Sequence, residues 1–259
     1  MRWAQSFSSP ASRDFAYSTS CLEYALVRAG KLPCLNARRH RVMKGMESME
    51  LIVEQTEGNS YLASTEIIDV QDPAVQKIIA DIRSRTDTDV ARAQMAFEYV
   101  RDHIQHSFDV DGDMVTIRAS DVLGQREGIC FAKAHLLGAL LRGLGIAAGF
   151  CYQRVTRRGT PESGYALHGL NAVYFKDLNR WVRLDPRGDK PGVHSEFSLE
   201  TERLAYDIHP DLGEIDYPYV FIEPLEAVVQ SMNQSANCKE LFYARPSEVS
   251  TQDAARFIR

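Results

Sequence analysis

Nowhere in its 259 residues does this chain hold the roughly 20 consecutive apolar residues that a bilayer-spanning helix needs, so a membrane protein is not expected. Cysteine is sparse. The five present, at positions 21, 34, 130, 151 and 238, are odd in number and widely scattered, which speaks against a disulfide-rich scaffold or a zinc site with short paired spacings. A reducing, cytoplasmic setting is the expectation that follows. Excess positive charge is also missing: 30 Lys and Arg face 35 Asp and Glu, for a net charge of −5, so neither nucleic acid nor an anionic membrane is an expected partner. No glycine-rich phosphate loop, internal repeat or low-complexity tract occurs. The run Asp109-Val110-Asp111-Gly112-Asp113 begins like a calcium loop, yet its glycine is misplaced and the twelfth position is Ser120 rather than glutamate, so it reads as a turn. His103, His106, His194 and His209 are not paired with carboxylates in a way that suggests a metal site, and no cofactor is expected.

What is there suits one folded domain, since 44% hydrophobic content over this length can bury a sizeable core. The first 42 residues differ in character. They carry seven Lys or Arg against Asp14 and Glu23, a net +5, which leaves −10 for residues 43–259. A flexible basic extension, an organelle-targeting peptide and translated upstream sequence ahead of a start at Met43, Met46 or Met49 are three readings of this arm, of which the last is preferred. The expected organisation is residues 1–48 outside the fold and residues 49–259 as a single domain.

Downstream the pattern is α+β. Residues 51–55 read as a strand. Asp72-Pro73 caps a helix with Val75, Ile78, Ile79 and Ile82 on one face, and residues 89–104 repeat apolar side chains at helical spacing. Gly128-Ile129-Cys130 opens an apolar helix running to about Leu144, where Gly143 and Gly145 stop it, and residues 146–155 begin a sheet. The loop 157–164 is either a border of a substrate cleft or an ordinary hairpin loop.

Three residues carry candidate chemistry. Cys130 stands in the first turn of its helix, where unpaired N–H groups and the peptide dipoles favour a thiolate. His168 stands in a run of strand formers ending at Phe175, and Asp185 ends a second run, Arg180-Trp181-Val182-Arg183-Leu184-Asp185-Pro186, with a turn at Lys176-Asp177-Leu178-Asn179 between them. Antiparallel pairing about that turn sets His168 opposite a residue near Gly188, so Asp185 falls within a few positions of it and a bulge would close the gap. Taken singly, each has a plainer reading: Cys130 continues the apolar stripe Ala134, Leu137, Leu141 and Leu144, a histidine at the start of a strand is commonly a surface or core-satisfying residue, and Asp-Pro after a strand is commonly a turn. Their occurrence together and in this order favours catalysis.

Gly128-x-Cys130, His168 ahead of Asn171-Ala172-Val173-Tyr174, and Trp181-x-Arg183-Leu184-Asp185-Pro186 resemble the transglutaminase-like superfamily, over roughly residues 69–223. Within it, the strand Phe150-Cys151-Tyr152-Gln153-Arg154 and the segment Ile215-Asp216-Tyr217-Pro218 are most similar to compact bacterial single-domain members. The resemblance implies a papain-like core, with the cysteine helix packed on an antiparallel sheet. It also implies Cys130 as nucleophile, His168 as general base and acid, and Asp185 as the carboxylate that orients the histidine. Protein-crosslinking transglutaminases, cysteine peptidases and peptide N-glycanases all belong to that superfamily. The expected activity is cleavage of amide bonds, peptide or isopeptide, in a protein or peptide substrate through a thioester acyl-enzyme, with water as the favoured acceptor. An amine-accepting transglutaminase and an inert binding module are the alternatives. Oxyanion donors are expected at the Cys130 backbone N–H and at Gln125, which precedes the cysteine by five residues and carries an amide N–H₂, the alternative being that Gln125 is an exposed turn residue; His106-Ser107-Phe108-Asp109 departs from the many family members that have a Trp or Tyr donor, offering a phenylalanine instead. Oligomeric state has no signature in the residues.

Overall fold

The computed structural model describes residues 49–54 and 59–257; the basic arm, residues 1–48, with Cys21 and Cys34, lies outside the described residues. The helices are α1 (Pro73–Arg85), α2 (Asp89–His103), α3 (Ala119–Gln125), α4 (Cys130–Gly143), α5 (Glu226–Gln234), α6 (Cys238–Ala244) and α7 (Thr251–Ala255). The strands are β1 (Ile52–Val53), β2 (Gln105–His106), β3 (Glu127–Gly128), β4 (Ala148–Thr156), β5 (Tyr165–Phe175), β6 (Arg180–Leu184), β7 (Ile215–Asp216) and β8 (Tyr219–Val220).

Helix α1 begins where its sequence dictates. Pro73 needs no intrahelical N–H donor, and the Asp72 carboxylate accepts from the Ala74 and Val75 N–H groups. Helix α2 is capped by the Thr88 hydroxyl, which accepts from the Ala91 N–H, and it buries Ala93, Ala96, Phe97 and Val100. Both pack against α4, as does α3.

Helix α4 is the centre of the molecule. Every residue from Cys130 to Arg142 is buried, the signature of a helix covered on all sides, with α1, α2 and α3 around it and β4 and β5 against it. Burial of polar side chains is tolerable only with partners, and each one here has found a carbonyl. Lys133 Nζ donates to the Ile104 and Arg101 carbonyls, His135 Nδ1 lies 2.8 Å from Ile117 O, and Arg142 donates to the carbonyls of Ala63, Ala148 and Ile222. These bonds tie the helix to the loops around it. The chain leaves α4 through Gly145, whose φ of 85° suits a residue without a side chain.

The main sheet has four antiparallel strands in the order β6-β5-β4-β7. Strands β4 and β5 pair from Ala148↔Val173 to Thr156↔Tyr165, and β5 pairs with β6 from Phe175↔Arg180 to Asn171↔Leu184. The β5–β6 turn is a 3-10 turn at Lys176–Leu178 closed by Asn179 in the left-handed conformation, φ 48°, which asparagine tolerates better than most residues. Two short parallel pairs, β1 with β8 and β2 with β3, complete the strands of the described residues. The second sets His106 beside Gly128, two residues ahead of Cys130. This is the expected α+β arrangement: a buried cysteine helix packed on an antiparallel sheet.

Candidate active site

Cys130 is the first residue of α4, and no side chain caps that helix end, so the first-turn N–H groups have no side-chain acceptor from the cap. Cys130 and His168 line the same cleft, close enough for each to bias the other's ionisation. The far side of the ring is held by Asp185, whose Oδ2 lies 2.7 Å from His168 Nε2. With Nε2 committed to the carboxylate, Nδ1 is the nitrogen left for the thiol.

Strand pairing brings Asp185 close, but not by the bulge expected from the sequence. The β5–β6 ladder ends at Asn171↔Leu184, and its register, continued, would set His168 opposite Arg187. Instead the chain turns at Asp185-Pro186-Arg187, where Asp185 Oδ1 accepts from the Arg187 N–H at 3.1 Å. This side-chain turn swings the carboxylate back toward His168. The Ala205 N–H donates to Oδ2 at 2.9 Å, so the fully buried carboxylate is held by two backbone donors as well as the imidazole.

The electrostatics form a coupled set. Burial opposes ionisation of Cys130, but the influence of His168, with the Arg245 charge, outweighs it and holds the thiol below its ordinary value. Burial likewise opposes charging of His168. The carboxylate of Asp185 and the sulfur of Cys130 overcome that and raise the imidazole well above its usual range. Asp185 is held low, its burial offset chiefly by His168. Tyr206 packs its ring edge-on to His168, centroids 4.8 Å apart, and limits rotation of the imidazole.

The thiol and imidazole lie on a cleft of about 560 Å³. Its walls include the loop residues Arg157, Arg158 and Gly159, so the segment 157–164 does border the cleft beside Cys130. Gln125 does not line it; the residue is exposed at the end of α3, where Arg126 in the left-handed conformation turns the chain away. The polar side chain that does reach the cleft from the segment before the cysteine is His106. It is buried, which holds its ring well below the usual histidine range and therefore neutral, and its Nδ1 has no hydrogen-bond partner among the described residues. A lone histidine gave no local signal of this. Its pairing with Gly128 is what places it.

Arg187 was equally silent in the sequence. It is buried, donates to both carboxylate oxygens of Asp109, and so fastens the turn after Asp185 to the segment that bears His106. Lys190 reaches the same carboxylate at 3.0 Å. The Asp109–Asp113 run is thus an ion-paired turn. No cluster of three or more potential metal ligands occurs among the described residues, and no helix among them is long and apolar enough to cross a membrane.

Residues 76–186 match the family model of the transglutaminase-like superfamily, a span that takes in Cys130, His168 and Asp185. This stretch of the chain is similar to the transglutaminase-like superfamily. Two solved structures are similar to it, each with a TM-score of 0.40. One is a "putative cysteine protease" from Cytophaga hutchinsonii, 17% identical, with 49% of this chain and 40% of that one covered. The other is described as a TGase, 12% identical, with 73% and 54% covered. The chain therefore spans about half the length of these structures. No curated protein matches it. The matched region runs from within α1 to the turn after β6, and so takes in the cysteine helix and strands β5 and β6.

Proposed function

We propose that the protein is a cysteine hydrolase that cleaves amide bonds of a protein or peptide substrate through a thioester acyl-enzyme. The observation that carries this reading is that Cys130 and His168 line one cleft, with His168 hydrogen-bonded on its far side to the buried Asp185 carboxylate. In the proposed cycle the Cys130 thiolate adds to the substrate carbonyl, and the His168 imidazolium then gives its proton to the departing amine. Asp185 keeps the ring oriented and offsets its positive charge. The oxyanion would be met by the Cys130 backbone N–H and by an N–H of the neutral His106 ring, which takes the place expected for Gln125. His168 then deprotonates a water that hydrolyses the thioester.

Water is favoured as acceptor because the cleft walls are charged, with Arg157, Arg158, Lys190, Asp207 and Glu214, and such walls retain solvent, whereas transfer to an amine requires its exclusion. A reducing, cytoplasmic setting suits the three described cysteines, all free.

The test compares the parent with Cys130→Ala on a library of peptides and simple amides, with intact-mass detection of the acyl-enzyme. Cys130-dependent release of amine and a trapped thioester are expected. Incorporation of an added amine in preference to water would make the protein a transferase. Absence of both turnover and adduct would make the fold a binding module.

A further inference from the structure

Three of the charged side chains in the cleft walls are already engaged: Arg187 and Lys190 are paired with Asp109, and Glu214 accepts from the N–H and hydroxyl of Thr156 and the N–H of His209. Three arginines are not. Arg157, Arg158 and Arg245 gather around a single aromatic ring, with guanidinium carbons 6.0, 5.7 and 5.0 Å from the centroid of Phe242. None of them has a carboxylate within ion-pairing distance among the described residues. Arg157 spends its donors on the carbonyls of Phe242, Tyr243 and Arg245, and so acts as a brace. Arg158 is exposed, with one bond to the Tyr243 hydroxyl, and Arg245 makes one long bond from Nε to Phe242 O at 3.4 Å.

Like charges gathered on a partly buried wall repel each other and lose hydration, a cost that stacking on Phe242 and Phe108 offsets only in part. An anion placed between them would remove it. Arg245 is also close enough to Cys130 to act on the thiol's ionisation, so that anion would sit beside the reacting sulfur.

We propose that Arg158 and Arg245 form a subsite for a carboxylate, and that the preferred substrate is an acidic peptide carrying that group close to the scissile amide. This rests on the hydrolase reading above. The carboxylate comes either from an acidic side chain or from a free chain terminus.

Two alkylators of one shape and different charge test it on the full chain: iodoacetate, which carries a carboxylate, and iodoacetamide, which does not. Rates at Cys130 are read at pH 7 by peptide-resolved mass spectrometry, and the ratio of the anionic to the neutral rate cancels changes in thiol ionisation. Arg245→Gln and, separately, the exposed Arg158→Gln should each lower that ratio by about 5-fold, as for a partly screened charge several ångströms away. Arg85→Gln on the outer face of α1 should leave it unchanged. Rapid reaction with iodoacetamide and a ratio equal in all four proteins overturns the subsite and leaves the hydrolase reading standing. Failure of Cys130 to react with either reagent overturns both. In the peptide assay, Glu-containing peptides should be cleaved faster than their Gln counterparts if the side chain is the anion. Dependence on an unblocked C-terminus identifies the terminal carboxylate instead, and indifference to both rejects the proposal.

Discussion

Gly169 touches Phe131: a methyl group at Gly169 would lie 2.6 Å from Phe131 Cδ1. Gly169 adjoins His168 and Phe131 adjoins Cys130, so this contact sets how closely His168 on β5 approaches Cys130 on α4. The Gly169→Ala variant should lose about 1–3 kcal/mol of stability through overpacking. It should also react with iodoacetamide at Cys130 several-fold more slowly while still folded. Urea unfolding and alkylation at 25 °C measure the two effects, and an unchanged rate would show that the contact does not position the thiol.

The pH dependence of Cys130 alkylation follows from the two opposed shifts. The thiol is held below its ordinary 9.0 and the imidazole above its ordinary 6.5, each favouring the charged form of the other. Labelling should therefore be at its plateau below pH 9 and decline as pH falls through the depressed thiol value. In His168→Ala the burial penalty is unopposed by the imidazole, and the midpoint should move upward, to or beyond the range of a free thiol. Asp185→Asn should lower the rate near neutrality, because the imidazolium loses its counter-charge. A wild-type midpoint at or above 9 would remove the basis for an activated thiol.

Much of this architecture is written locally. Asp72-Pro73 caps a helix whatever lies around it, Val75, Ile79 and Ile82 recur at helical spacing, and Gly145 can leave α4 at a φ that other residues resist, so these boundaries are readable from neighbouring residues. The residues that meet across the chain are not. Sequence order nominates Cys130, His168 and Asp185, but the carboxylate reaches the ring through a side-chain turn onto the Arg187 N–H, and ladder register alone suggests a bulge. Gln125 is near Cys130 in sequence and faces solvent, while His106, further away in sequence, arrives through the β2–β3 pair. Arg187 and Asp109 are 78 residues apart and have no spacing rule to betray them.

Lys133 makes a second pH-dependent element, one turn along α4 from the thiol. Burial, with the nearby Arg187 charge adding to it, pushes its amine down to about 7 from 10.5. Between those values the unfolded chain binds a proton that the folded chain does not, so stability should rise with pH across this window, by at most ~1.4 kcal/mol per unit. Below about 7 both states are protonated and the contribution is flat. Lys133→Met should flatten the rise between pH 7 and 10. Denaturant melts of the two proteins at several pH values measure it, and parallel curves would show that Lys133 keeps its ordinary ionisation.

The Arg187–Asp109 pair predicts an asymmetry between single and double substitutions. Arg187 is only 2% exposed, so Asp109→Ala strands its charge, and breaking a buried pair from one side costs about 3–5 kcal/mol. Arg187→Met combined with Asp109→Leu removes both charges and should recover much of that loss, since apolar groups of similar size need no partners. Activity should not recover with it. The pair also fixes the turn that aims Asp185 at His168, so the double variant is expected to stay folded yet alkylate at Cys130 more slowly than the parent. Recovery of stability and reactivity together would mean that the pair only fills space. Loss of both in the double variant would mean that the turn after Asp185 cannot form without the ion pair.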